Sequence, residues 1–228
     1  MNELAQKLIE ELQCETVFTI PVLGGIPVSE AVVVTWIIMA VLVVIAFILT
    51  RNLKVDHISK RQAVAESIVT GLLNMVQGMV GEKGKAYVPY LTTVMLYIGV
   101  SNIIGLFGFK SPTKDLRVTV ALALMSIILI EAAGIYHKGV KRWLHGFVEP
   151  VAIVTPINIL EVVTKPLSLC MRLFGNVLGA FVIMELLKMI LPVGLPVVFS
   201  LYFDIFDGLL QAYVFVFLTS LYIDEITE

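Results

Sequence analysis

Residues 31–50 read AVVVTWIIMAVLVVIAFILT, twenty positions without a charge. At ~1.5 Å per residue a helix of that length covers ~30 Å, the hydrocarbon thickness of a bilayer. Arg51, Lys54, Lys60 and Arg61 follow at once, as basic residues do at the cytoplasmic end of a spanning helix. This stretch fixes the reading of its neighbours. Residues 1–30 become an outer N-terminal segment. That segment begins MNELAQKLIEELQ, acidic and without an apolar core, so it is not read as a cleavable signal peptide.

The same pattern recurs along the chain. From residue 58 to 80, Ile58, Val64, Ile68, Leu72, Met75 and Met79 repeat at helical spacing with Lys60, Glu66, Asn74 and Gln77 between them, which predicts an amphipathic helix on the membrane surface. Residues 86–109 carry no charge and form a second span; residues 118–136 form a third, interrupted by Glu131. Between them Ser111, Pro112 and Thr113 mark a turn. Residues 151–191 would make a helix of ~60 Å, about twice the hydrocarbon thickness, so it must tilt steeply or break, and Pro166 offers a bend. Pro192, Gly194 and Pro196 mark a turn before residues 197–223 return. The expected fold is an all-α membrane protein, a single membrane domain of about five embedded helices plus a surface helix, the last two forming a long tilted hairpin.

Composition agrees: 58% of the 228 residues are apolar and the mean hydropathy is +0.95, above the ordinary soluble range of ~45–50% apolar. A net charge of −2 provides no basic field for nucleic acid. Cys14 and Cys170 stand in no metal or redox spacing. His57, His137 and His145 read as interfacial, and Trp143, Tyr136 and Tyr87 as interfacial anchors. No phosphate-loop, zinc-protease or nucleophile-elbow motif occurs, so neither a catalytic site nor a cofactor is expected. With the N-terminus outside and five crossings, ten lysines and arginines fall inside and five outside, Arg172 being assigned to neither. The positive-inside rule then puts the C-terminus in the cytoplasm.

Chemistry concentrates in the long helix. Glu161, Lys165, Ser168, Arg172 and Asn176 are separated by 4, 3, 4 and 4 residues, which puts them on one stripe. Gly175 and Gly179 lie beside it and admit a close helix neighbour. The twelve residues from Leu173 to Met184 are uncharged, so Arg172 has no short route to the interface. A charge at that depth costs from ~3 to more than ~10 kcal/mol and is functional by default. The alternative is an ion pair that only staples the bundle. In the last segment Asp204, Asp207 and Gln211 share a face and either line a hydrated path or form a hydrogen-bonded seam. Glu131 and Asn102 are likewise lining groups or interhelical glue, and Glu185 lies near the outer end.

The run Lys165-Pro-Leu-Ser-Leu-Cys-Met-Arg-Leu-Phe-Gly-Asn176 resembles the signature of the a subunit of F-type ATP synthases. Ser101-Asn-Ile-Ile-Gly-Leu-Phe107, Ser111-Pro-Thr-Lys-Asp-Leu-Arg-Val-Thr-Val-Ala-Leu-Ala-Leu124 and Leu210-Gln-Ala-Tyr-Val-Phe-Val-Phe-Leu-Thr219 are similar to that family's other membrane segments. The resemblance runs from about residue 30 to 223. It implies an ion-translocating, non-catalytic subunit of a bacterial-type plasma membrane, with two half-channels facing a c-ring and a b subunit stalk as a further partner. It casts Arg172 as the essential arginine facing the ring carboxylate, Asn176 and Gln211 as its polar neighbours, and Asp204 as the outer ionisable group. Phe181 stands where the family often has a glutamate, with Glu185 one turn later; Asp207 and Glu131 are lining candidates. The transported ion is a proton or a sodium ion, selected by the ring. Two rival readings are a secondary transporter binding an anionic substrate at Arg172, which predicts internal repeats, and a non-conducting scaffold, which predicts that Arg172 and Asp204 tolerate neutral replacement.

Overall fold

A computed structural model describes residues 16–20, 26–51, 59–107, 109, 111–148, 152–190, 194 and 199–227. Cys14, His57, Pro192 and Pro196 lie outside the described residues. Among the described residues seven α-helices follow a short hairpin: β1 (Thr16–Ile20) and β2 (Ile26–Ser29), then α1 (Glu30–Thr50), α2 (Lys60–Gln77), α3 (Val88–Ile103), α4 (Leu116–Lys138), α5 (Val140–Gly146), α6 (Thr155–Ile190) and α7 (Gly208–Thr227). Five helical stretches among the described residues are long and apolar enough to cross a membrane: Glu30–Thr50, Glu82–Phe107, Leu116–Lys138, Thr155–Lys188 and Leu201–Thr227. The chain is an all-α membrane protein apart from the hairpin.

Local chemistry explains the boundaries. The Ser59 hydroxyl accepts from the Gln62 N–H and opens α2. Pro89 sits in the first turn of α3, where its missing N–H has no helical partner to lose. Asp115 caps α4 through Arg117 N–H at 2.9 Å, and Gly139, at φ 77°, ends it with its N–H on the Ile135 carbonyl. The antiparallel pairing of β1 with β2 sets Phe18 opposite Val28. Its signal was available in the β-branched and aromatic Thr16–Ile20 run and the Gly24-Gly25 pair, which the apolar spans overshadowed.

Helices α3, α4, α6 and α7 make the bundle, with α3 packed chiefly on α7 and α4 on both α6 and α7. One buried cluster joins Val76, Val80, Val88, Leu91, Ile127, Ile130, Val216 and Ile223. A second joins Val94, Ile98, Leu122, Leu169, Cys170, Leu173, Ala212 and Phe215. Outward side chains are as apolar as inward ones: Val43 is 68% exposed, Phe47 66% and Ile128 67%. Such a surface needs lipid. Lipid tails are as apolar as leucine, so helix association here rests on packing and interhelical hydrogen bonds.

The hydrogen bonds gather around the Ser-Pro-Thr turn, which is buried rather than a surface loop. Ser111 Oγ donates to the Ser101 carbonyl at 2.6 Å. Thr113 Oγ1 donates to Asn102 Oδ1 at 2.7 Å, and Asn102 Nδ2 donates to the Gly208 carbonyl at 3.0 Å. Ser29 Oγ donates to Asp115 Oδ2 at 2.8 Å and ties the start of α1 to the start of α4. A Cβ at Gly208 would lie 2.7 Å from Asn102 Cβ, so only glycine allows α7 to begin this close to α3.

Helix α6 continues through Pro166 for 36 residues, ~54 Å, without the break that proline permits. It runs antiparallel to the last segment: Lys165 near its start reaches Glu225 near the chain's end at 3.0 Å, while Val177 to Lys188 share a cavity with Ser200 to Gln211. Of the turn between them, Gly194 is described, at φ 90°, a conformation suited to glycine. The returning segment opens with a π-helical stretch, Leu201–Asp207, before α7. Hydropathy gives no sign of it, and such turns concentrate at functional positions.

Candidate functional site

The stripe on α6 separates into three zones. Its inward neighbours Leu169, Cys170 and Leu173 are buried against α3, α4 and α7. Arg172 and Ser168 face outward and are exposed. Among the described residues Arg172 makes no hydrogen bond or ion pair, so none of them supplies it with an anion. A Cβ at Gly175 or Gly179 would meet nothing within 4 Å. A helix face with one unneutralised guanidinium and two open glycines is thus uncovered.

On one side of Arg172 along α6 lies a polar cavity of about 380 Å³, lined by Val177, Phe181 and Lys188 of α6 and by Asn102, Ser111, Lys114, Ser200, Asp204, Asp207 and Gln211. Ser200 Oγ donates to Asp204 Oδ2 at 2.7 Å and fixes that carboxylate. Gly105 also faces Asp204, where a Cβ would come within 3.4 Å of Oδ1. Gln211 is buried at the deep end of this set, one turn inward from Asp207. Lys114 lies over the Phe181 ring, 4.6 Å from its centroid.

On the other side lies a second cavity of about 500 Å³, lined by Glu131, Lys138, Arg142, Trp143, Asn158, Glu161, Lys165 and Glu225. Glu131 accepts from Trp143 Nε1 at 2.9 Å. Lys165 is shared between Glu225 at 3.0 Å and Glu161 at 3.7 Å, and lies over the Tyr222 ring. Lys165 and Val177, one in each lining, are twelve residues apart, ~18 Å along the axis, with Arg172 between them.

The candidate residues therefore divide. Asp204, Asp207 and Gln211 come together in the first cavity, and Glu131 lies in the second. Asn176 is half-buried one turn from Arg172 and belongs to neither lining. Glu185 is half-buried and paired with Lys188 at 3.3 Å, with Lys188 rather than Glu185 in the cavity lining. Asn102 both lines the first cavity and bonds across helices. Glu225 escaped the sequence reading because the apolar run ends at Ile223. Helix α7 continues because Asp224 accepts from Gly81 N–H at 3.1 Å and Glu225 pairs with Lys165.

Fold and site together define a multi-pass membrane protein with an unpaired cation between two separate polar cavities. The family model described as ATP synthase A chain matches residues 32–224. ATP synthase subunit a of Moorella thermoacetica is 35% identical over 203 residues, covering 88% of this chain and 92% of that protein. The sodium ion specific ATP synthase subunit a of Propionigenium modestum is 34% identical over 215 residues, 87% of this chain and 74% of that one. ATP synthase subunit a 1 of Crocosphaera subtropica is 30% identical over 197 residues, 86% and 85% of the two chains. The chain belongs to the ATP synthase A chain family.

Proposed function

We propose that this chain is the ion-conducting stator of a rotary ATP synthase, with the first cavity as the outer half-channel, the second as the cytoplasmic one, and Arg172 between them facing the c-ring. The observation that carries the reading is the outward, unpartnered Arg172 separated axially from both polar cavities. A guanidinium has five donors and no acceptor and stays charged at any physiological pH, so it cannot relay a proton. It therefore opposes cation leakage between the cavities. It also favours the ionised form of a passing carboxylate through opposite charge.

In the outer cavity, ions enter past Asp204 and Asp207 and reach the rotor near Gln211. In the inner cavity, Glu131, Glu161 and Glu225 supply acceptor oxygens for release. One elementary charge crossing 100 mV yields ~2.3 kcal/mol, which turns the ring when summed over several ions. The chain contributes path and coupling, and nucleotide chemistry lies on other subunits. The N-terminus lies outside and the C-terminus in the cytoplasm of a bacterial-type cell membrane, with a b subunit stalk as a further partner. The test is a cysteine at Gly175, where the free face is open. In the assembled complex, Gly175→Cys is expected to cross-link to a small, hydrophobic, ring-forming subunit. Cross-linking only to large or non-ring chains would remove the rotor from this face.

A further inference from the structure

Helix α1 meets the bundle near its outer end, where Ala31, Val34 and Ile38 are buried. From Met39 to Thr50 it is exposed apart from half-buried Leu42. The space between this helix and the α3–α4 pair is a groove of about 530 Å³, walled by side chains such as Met39, Val43, Val94, Leu122 and Met125. At its outer end the Thr35 and Tyr97 hydroxyls bond each other at 3.0 Å. Arg117, in the first turn of α4, is the one charged residue of that lining among the described residues. Its side chain is exposed and among the described residues forms no ion pair or hydrogen bond.

We propose that this groove holds an acyl chain of an anionic phospholipid of the outer leaflet, with its phosphate on Arg117. Three features select this occupant. The groove extends from Val32 to Val43 on α1, eleven residues or ~16 Å, and one leaflet of a ~30 Å hydrocarbon core is about that deep. Its volume of about 530 Å³ over that length leaves a mean cross-section of roughly 30 Å², enough for extended hydrocarbon. A guanidinium at the groove mouth matches phosphate geometry and charge. The site lies on a different face from the ion path, and it depends only on the membrane placement of α1, α3 and α4.

The test uses the purified, assembled complex, delipidated and titrated with phosphatidylglycerol or phosphatidylcholine of the same acyl chains, with retained lipid counted by native mass spectrometry. The wild type is expected to retain phosphatidylglycerol with about tenfold preference over phosphatidylcholine at this site, and Arg117→Gln to lose that preference. Ala121→Phe, which fills the groove and leaves Arg117 in place, is expected to reduce retention of both lipids. A photoreactive residue replacing Met125 should label lipid. Equal retention of the two lipids by the wild type, an unchanged preference in Arg117→Gln, or labelling of a partner polypeptide from position 125 would each overturn the proposal.

Discussion

Replacing Arg172 by alanine tests whether one cation keeps two polar cavities apart. Arg172 lies seven residues from Lys165 and five from Val177, ~10 Å and ~8 Å along the helix axis. It is thus the fixed positive charge nearest the middle of an ~18 Å gap. A carboxylate passing at ~4 Å is favoured in its ionised form by ~4 kcal/mol at an effective dielectric of ~20, on the order of a thousandfold. Without the guanidinium a passing carboxylate holds its proton more tightly, and no fixed charge opposes a cation crossing the gap. In proteoliposomes with an imposed gradient, Arg172→Ala is expected to lower ATP synthesis by two to three orders of magnitude. Passive ion entry, followed with a pH-sensitive or sodium-sensitive dye, should rise. Arg172→Lys restores charge without the rigid fork and can lose its proton, so its leak should increase as pH rises. Synthesis by an assembled Arg172→Ala complex above about a tenth of the wild-type rate would refute the reasoning.

Three further substitutions separate packing from conduction. Gly208→Val places a Cβ 2.7 Å from Asn102 Cβ and breaks the Asn102–Gly208 bond. It should cost about 1–3 kcal/mol through overpacking, read as a lower Tm and a smaller membrane yield; unchanged values would show that α3 and α7 need not approach so closely. Asp204→Asn should slow ATP-driven ion pumping at least tenfold, while Ser200→Ala, which removes only the hydroxyl that orients that carboxylate, should slow it a few-fold. Equal effects, or none for Asp204→Asn, would take Asp204 out of the path.

The sequence by itself marked the apolar stretches long enough to cross a membrane and the uncharged run that follows Arg172, because hydropathy and helical period are local and add along the chain. It also put Asp204, Asp207 and Gln211 on one face, since their spacing needs no partner. Only the tertiary structure decided what those faces meet. Ser111 and Thr113 became buried hydrogen-bonding groups, Glu131 found Trp143, and Lys165 found Glu225, sixty residues away. The clash that reserves position 208 for glycine depends on helix contacts as well. Each joins groups at least ten residues apart in the chain, whose pairing is set by three-dimensional approach and satisfied polar atoms, and no local period records that.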